Sequence, residues 1–92
     1  MADSSNNFDA LNSFIMMANR MTEGGLDSKI VSTALMRACA VYSTYVVTGN
    51  DGALTKSGVE KLTKLFGDEL SIVQDAKIEQ AKREGTFSES PQ

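Results

Sequence analysis

Histidine and tryptophan are absent from the 92 residues, and cysteine and proline occur once each. Without histidine, neither a Ser-His-Asp triad nor a Cys-His pair can form. The usual zinc-ligand spacings are also excluded, because Cys39 is the single thiol. A lone cysteine cannot form an internal disulfide, which favours a reducing compartment. We therefore expect a protein that is not an enzyme and that has no cofactor and no metal site.

Positive charge and long hydrophobic runs are also scarce. Nine basic residues against twelve acidic ones give a net charge of −3, and the basic residues of the C-terminal half alternate with acidic ones, so a nucleic-acid partner is not expected. The most apolar stretch is interrupted by Arg37 and several hydroxyl side chains, and Met1–Asn7 has no basic segment typical of a signal peptide. We expect no membrane partner and a cytoplasmic location.

Two glycine-containing breaks divide the chain into three segments, each with the apolar period of a helix. The breaks are Gly24-Gly25 and the stretch from Gly49 to Gly52. The pattern predicts helices at about 7–23, 27–48 and 55–84, preceded by a disordered segment 1–6 and followed by a disordered tail 85–92. Short connections favour antiparallel neighbours. The predicted fold is therefore all-α, a small antiparallel three-helix bundle with a long C-terminal helix.

The start of the second helix has one clear sequence signal, whereas the start of the third helix has two. Asp27 has the position of an N-cap, with Leu26 and Val31 spaced as a hydrophobic staple. Two signals compete for the start of the third helix: a capping box of Ser57 with Glu60, and a hydrophobic staple of Leu54 with Val59 around Thr55 as N-cap. The apolar phase continues through Gly67, which favours one long helix, and a break with Asp68 as a new N-cap is the alternative.

One half of the second helix is apolar and uncharged, and the opposite half also contains Met36, Ala40 and Val47. This is more apolar surface than two amphipathic neighbours would cover. It therefore predicts a homodimer with this helix near the two-fold axis. A monomeric three-helix bundle is the alternative. The predicted interface consists of Ile30, Val31, Leu35, Cys39, Tyr42, Tyr45 and Val46.

Glu69 lies within the apolar arc of the third helix, where a buried carboxylate would need a partner. Three interpretations stay open: a ligand-binding or general-acid carboxylate, a buried ion pair with Arg37, or a place at the rim of the bundle. In the first interpretation Tyr42 and Tyr45 would line a pocket beside Glu69. Cys39 is expected to be inert packing.

The segment Asn50–Thr55 resembles the middle of a calcium-binding EF-hand loop. The required ligand positions are mostly filled by residues without carboxylates, so a turn is the favoured interpretation.

The chain resembles a family of short bacterial helical proteins of unknown function. The resemblance lies in Phe14-Ile15 and Ala18-Asn19, then in Val31-Ser32 and Leu35-Met36. It continues through Ala38, Ala40, Tyr42 and Phe66. Family members have aromatic residues near the C-terminal helix end, whereas 74–84 has none. The resemblance implies a helical fold and a bacterial cytoplasmic setting, and it implies no activity.

Together these patterns predict a non-enzymatic helical module that self-associates and also binds another protein. A helical bundle that binds a small molecule, or a minor enzyme, with a pocket near Glu69 is the alternative.

Overall fold

The computed structural model describes residues 4–49 and 52–85, and within them the chain forms three helices. They are α1 (Ser4–Glu23), α2 (Ser28–Thr48) and α3 (Lys56–Glu84). No strand occurs among these described residues. The predicted all-α class is confirmed, as are the number of helices and the position of the longest one at the C-terminal end.

The first helix begins earlier than expected. α1 starts at Ser4, three residues before the predicted boundary, so residues 4–6 are helical rather than part of the expected disordered segment. The first apolar residue of the helical pattern is Phe8, and polar residues before it carry no periodicity that could mark the start. Residues 1–3 lie outside the described part of the chain.

A four-residue turn from Gly24 to Asp27 connects α1 and α2. The Leu26 amide donates to the Met21 carbonyl at 3.1 Å, and the Gly25 amide donates to the Thr22 carbonyl at 3.0 Å. These two bonds form a Schellman motif, which satisfies carbonyls at the helix end. Gly25 has φ +112°, a conformation that side chains other than glycine rarely adopt.

The predicted N-cap of α2 is confirmed. The Asp27 carboxylate accepts a hydrogen bond from the Lys29 amide at 2.8 Å, which satisfies one free amide of the first turn. At the other end, Gly49 has φ +72° and its amide donates to the Tyr45 carbonyl at 2.7 Å. α2 therefore ends where the glycine break predicts, and the next two residues, Asn50 and Asp51, lie outside the described part.

The structure decides between the two start signals of α3. Thr55 is the N-cap, and its hydroxyl accepts from the Gly58 amide at 3.1 Å. Gly58 also lies close to Leu54, since a Cβ at this position would be 3.3 Å from the Leu54 side chain. The N-cap interpretation with Thr55 is therefore the correct one, and the helix begins one residue before Ser57.

α3 continues through Gly67 without interruption, as the apolar phase predicts. It ends at Glu84, and the C-cap residue Gly85 has φ +71°. Lys82 and Arg83 lie in its last turn, where positive charge interacts favourably with the helix dipole. The expected disordered tail beyond Gly85 lies outside the described residues.

The chain divides into two compact units between Gly52 and Ala53. The first unit contains α1 and α2, which pack against each other. The second unit contains α3. Val31 in α2 is the single buried apolar residue among the described residues, at 6% exposure. Each unit therefore builds little hydrophobic core of its own.

Replacing Thr55 by Ala is expected to lower the free energy of unfolding by about 1 kcal/mol, because the first turn of α3 loses its side-chain acceptor. Ser57→Ala is the matched control and is expected to change stability by less than about 0.5 kcal/mol. Urea unfolding followed by circular dichroism measures both. A larger loss for Ser57→Ala would restore the capping-box interpretation.

Gly67→Ala is expected to stabilise the protein by about 1 kcal/mol, because alanine loses less backbone entropy in a helix interior. A Cβ at Gly67 would meet nothing within 4 Å. Gly49→Ala is the control in the opposite direction, since it forces alanine into a positive φ. Thermal unfolding of both variants checks this. Destabilisation by Gly67→Ala would show that another chain lies against this position.

Candidate interaction surface

The apolar half of α2 is largely uncovered. We call this surface the α2 face. Its members are Ile30, Val31, Ala34, Leu35, Ala38, Cys39, Val41, Tyr42, Tyr45 and Val46. Val31 is buried and Leu35 is 39% exposed, whereas Tyr42 is 68% and Val46 is 63% exposed. The C-terminal half of α2 therefore presents the larger part of the apolar surface.

Val31 differs from the other predicted interface residues, because it is already buried within the chain. A side chain that is buried in one chain offers little area to a second chain. Val31 is therefore assigned to the internal core rather than to the free surface. The remaining six predicted interface residues are all exposed: Ile30, Leu35, Cys39, Tyr42, Tyr45 and Val46.

The two tyrosines lie side by side on this face. The ring centroids of Tyr42 and Tyr45 are 6.4 Å apart, and the rings are tilted by 44°. This separation is within the range in which aromatic rings interact favourably. The pair forms a broad exposed aromatic area with a hydroxyl on each ring, a composition common at protein interfaces.

Cys39 is exposed rather than packed inside the chain. Its sulfur lies 3.9 Å from the Ser43 hydroxyl oxygen, one helical turn away. The expectation that Cys39 is inert packing therefore does not hold within a single chain, because nothing within the described residues buries the thiol.

A second apolar surface runs along α3, and we call it the α3 face. Its members are Val59, Leu62, Leu65, Phe66, Leu70, Ile72, Val73 and Ala76. All of them are exposed except Leu62, which is half-buried. Sequence reasoning assigned this surface to the interior of a bundle. The helical period identified the apolar side correctly, but it carries no information about what covers that side.

The polar side of α3 is an ordinary solvated surface. The Lys64 ammonium donates to the Asp68 carboxylate at 3.0 Å, across one helical turn, and both side chains are well exposed. Such exposed pairs contribute a few tenths of a kcal/mol to helix stability. The side of α3 that faces water is thus distinct from the α3 face.

Glu69 and Arg37 are both exposed. Neither side chain is buried by the described residues. The three interpretations of Glu69, as a ligand-binding or general-acid carboxylate, as the partner of Arg37 in a buried ion pair, or as a residue at the rim of the bundle, stay predictions.

A shallow, solvent-open depression lies along one edge of the α2 face. It is lined by Lys29, Ile30, Thr33, Ala34 and Arg37. The lining includes both charged residues of α2, Lys29 and Arg37. Neither Glu69 nor the two tyrosines line it, so the depression is not the pocket that the small-molecule alternative requires.

The acidic side chains of the described residues do not gather into a metal site: no group of three or more potential ligands is found among residues 4–49 and 52–85. Asn50 and Asp51, which carry the likeness to a calcium-binding loop, lie outside these ranges.

α2 is long and apolar enough to cross a membrane by length and composition, with a mean hydropathy of 1.4. Among residues 4–49 and 52–85, α2 is the one helix that meets this criterion. Core helices of soluble proteins also meet the criterion, and α2 contains Lys29 and Arg37. The sequence analysis expected no stretch of membrane-spanning length and composition, whereas α2 is one such stretch.

A family model described as a protein of unknown function (DUF3144) matches residues 7–82, which span all but the first three residues of α1, all of α2, and α3 except its last two residues. The chain belongs to this family. The predicted resemblance to a family of unknown function is thereby confirmed. No curated protein and no solved structure matches the chain. Membership of the family therefore assigns no activity to either face.

Replacing Val31 by Ala is expected to lower the free energy of unfolding by about 2 kcal/mol, because two buried methyl groups are lost and a small cavity remains. Val47→Ala is the matched control, since Val47 is 58% exposed and lies on the opposite side of α2. Its expected effect is below about 0.5 kcal/mol. Equal losses in chemical denaturation would contradict the assignment of Val31 to the internal core.

Proposed function

We propose that the protein is a non-enzymatic interaction module that forms a homodimer through the α2 face and engages another protein. The observation that supports this most strongly is the exposure of large apolar side chains on α2 while a single described residue is buried. Extended apolar patches on soluble proteins are typical of interaction sites.

The distribution of charge on α2 favours self-association in particular. Lys29 and Arg37 are the charged residues of the helix, and both lie outside the α2 face. An uncharged face can meet its own copy across a two-fold axis without placing like charges opposite each other. The exposed pair Tyr42 and Tyr45 would supply aromatic area near the centre of such an interface.

The proposed cellular location is based on the Cys39 thiol and on the family resemblance. An unpaired Cys39 that is exposed is compatible with a reducing compartment. We therefore include a bacterial cytoplasmic location in the proposal. The second protein would bind apolar surface that the dimer leaves open. To test this binding, the wild-type dimer and a variant altered on that surface are used to capture the protein, and only the wild type is expected to retain it.

Size-exclusion chromatography with light scattering, repeated over a tenfold range of concentration, tests the proposed dimer. The expected molar mass is twice 9.9 kDa. A constant mass of one chain would contradict the dimer, and the apolar faces would then be either a core closed within one chain or a site for a different partner.

Val46→Asp is expected to weaken the dimer by on the order of 100-fold, because each copy would bury an unpaired carboxylate. Tyr42→Ala is expected to weaken it as well, through loss of aromatic area. Val47→Asp is the matched control: it is the adjacent residue, of similar exposure, on the opposite side of α2. Sedimentation equilibrium gives the dissociation constants. Equal weakening by the two aspartate variants would argue against the α2 face as the interface.

A further inference from the structure

We infer that, in the dimer, the α3 face of one protomer packs antiparallel along the edge of the partner's α2 face, with Glu69 opposite the partner's Arg37. This inference rests on the proposed homodimer and identifies which surfaces meet in it. Two symmetric copies of the contact form, because each protomer supplies one α2 face and one α3 face.

The lengths of the two apolar faces agree. The α2 face extends from Ile30 to Val46, and the α3 face extends from Val59 to Ala76. These spans are 17 and 18 residues of helix, or about 26 Å each at 1.5 Å per residue. Either face can therefore cover the other along nearly its whole length.

The antiparallel direction follows from where the charged residues stand. Arg37 is the eighth residue counted from Ile30, and Glu69 is the eighth residue counted back from Ala76. If Ile30 lies opposite Ala76, Glu69 lies opposite the partner's Arg37, and the far ends of the faces agree within one residue.

A parallel alignment from the same starting ends would instead place Glu69 opposite the partner's Ala40. That position is three residues, or about 4.5 Å, along the axis from Arg37. The antiparallel alignment is therefore the one that matches apolar ends and opposite charges at the same time.

Charge complementarity identifies the edge of α2 that is involved. The depression beside the α2 face is lined by the apolar Ile30 and Ala34 and by the basic Lys29 and Arg37. Glu69 is the one charged residue within the arc of the α3 face between Val59 and Ala76. An apolar helix face with one central carboxylate matches a surface that combines apolar and basic side chains.

Both side chains are available for the contact. Glu69 and Arg37 are exposed, and neither forms an ion pair with another described residue. Their pairing across an interface would supply the partner that an acidic residue inside an apolar arc requires once that arc is covered.

A second copy accounts for both faces at once. In a two-fold symmetric dimer, the contact of α2 with the partner's α3 is repeated as the contact of α3 with the partner's α2. A different protein seated on one face would leave the other face in water. The copy of the same chain is therefore the occupant to which we commit.

Charge reversal tests the pairing. Glu69→Arg alone would place two positive residues opposite each other at both contacts, and Arg37→Glu alone would place two negative ones. Each is expected to raise the dissociation constant of the dimer by about tenfold or more. Asp75→Arg on the polar side of α3 and Arg20→Glu on α1 are controls with the same change of charge, and they are expected to leave the constant within about threefold.

Mixing the two single variants distinguishes pairing between chains from pairing within one chain. A heterodimer of the Glu69→Arg chain and the Arg37→Glu chain would contain two opposite-charge pairs, whereas each homodimer would contain none. Native mass spectrometry of the mixture, with one chain isotopically labelled, is expected to show more heterodimer than the statistical half. The doubly reversed chain is expected to dimerise nearly as well as wild type.

Each other outcome overturns the inference in a recognisable way. Recovery in the double variant without preferential heterodimers would place the pair within one chain. Unchanged dimerisation of both single variants would refute the contact between α3 and the partner's α2, but it would not contradict a dimer formed through α2. A monomeric wild type would refute the proposed dimer itself, and it is measured first.

Discussion

The constraint on which the rest of the structure depends is the apolar surface that a single chain leaves in contact with water. α2 is apolar over half its circumference, and within the described residues only Val31 is withdrawn from solvent. Hydrophobic burial is the main favourable term in folding. A chain that buries so little apolar surface by itself gains little of this free energy. The proposals about association follow, because a second chain would bury more of that surface.

The local structure was predictable because its signals are local. Asp27 marks the start of α2 through a carboxylate that reaches the Lys29 amide, and Gly49 marks its end through a positive φ. These are interactions between residues a few positions apart, so the sequence contains them completely. The start of α1 at Ser4 was missed because polar residues before Phe8 give no periodic signal.

The surroundings of the apolar faces were not predictable in the same way. Helical period shows which residues share a side of α3, and it placed Glu69 correctly among apolar neighbours. It cannot show whether that side is covered by the same chain, by a copy or by another protein. The expected burial of Glu69 was therefore an inference about tertiary contacts, which the helical period does not contain.

Glu69 also explains why association through α3 would favour one register of the two helices. An entirely apolar stripe can slide against another with little change in energy, because hydrophobic contact is non-directional. A single carboxylate in the stripe makes most registers unfavourable, since it would be buried without a partner. Only a register that presents a cation at the same level avoids this penalty, and Arg37 stands at the matching level of α2. In the proposed contact the polar residue would thus lower the strength slightly and fix the alignment, as single polar residues do in helical interfaces.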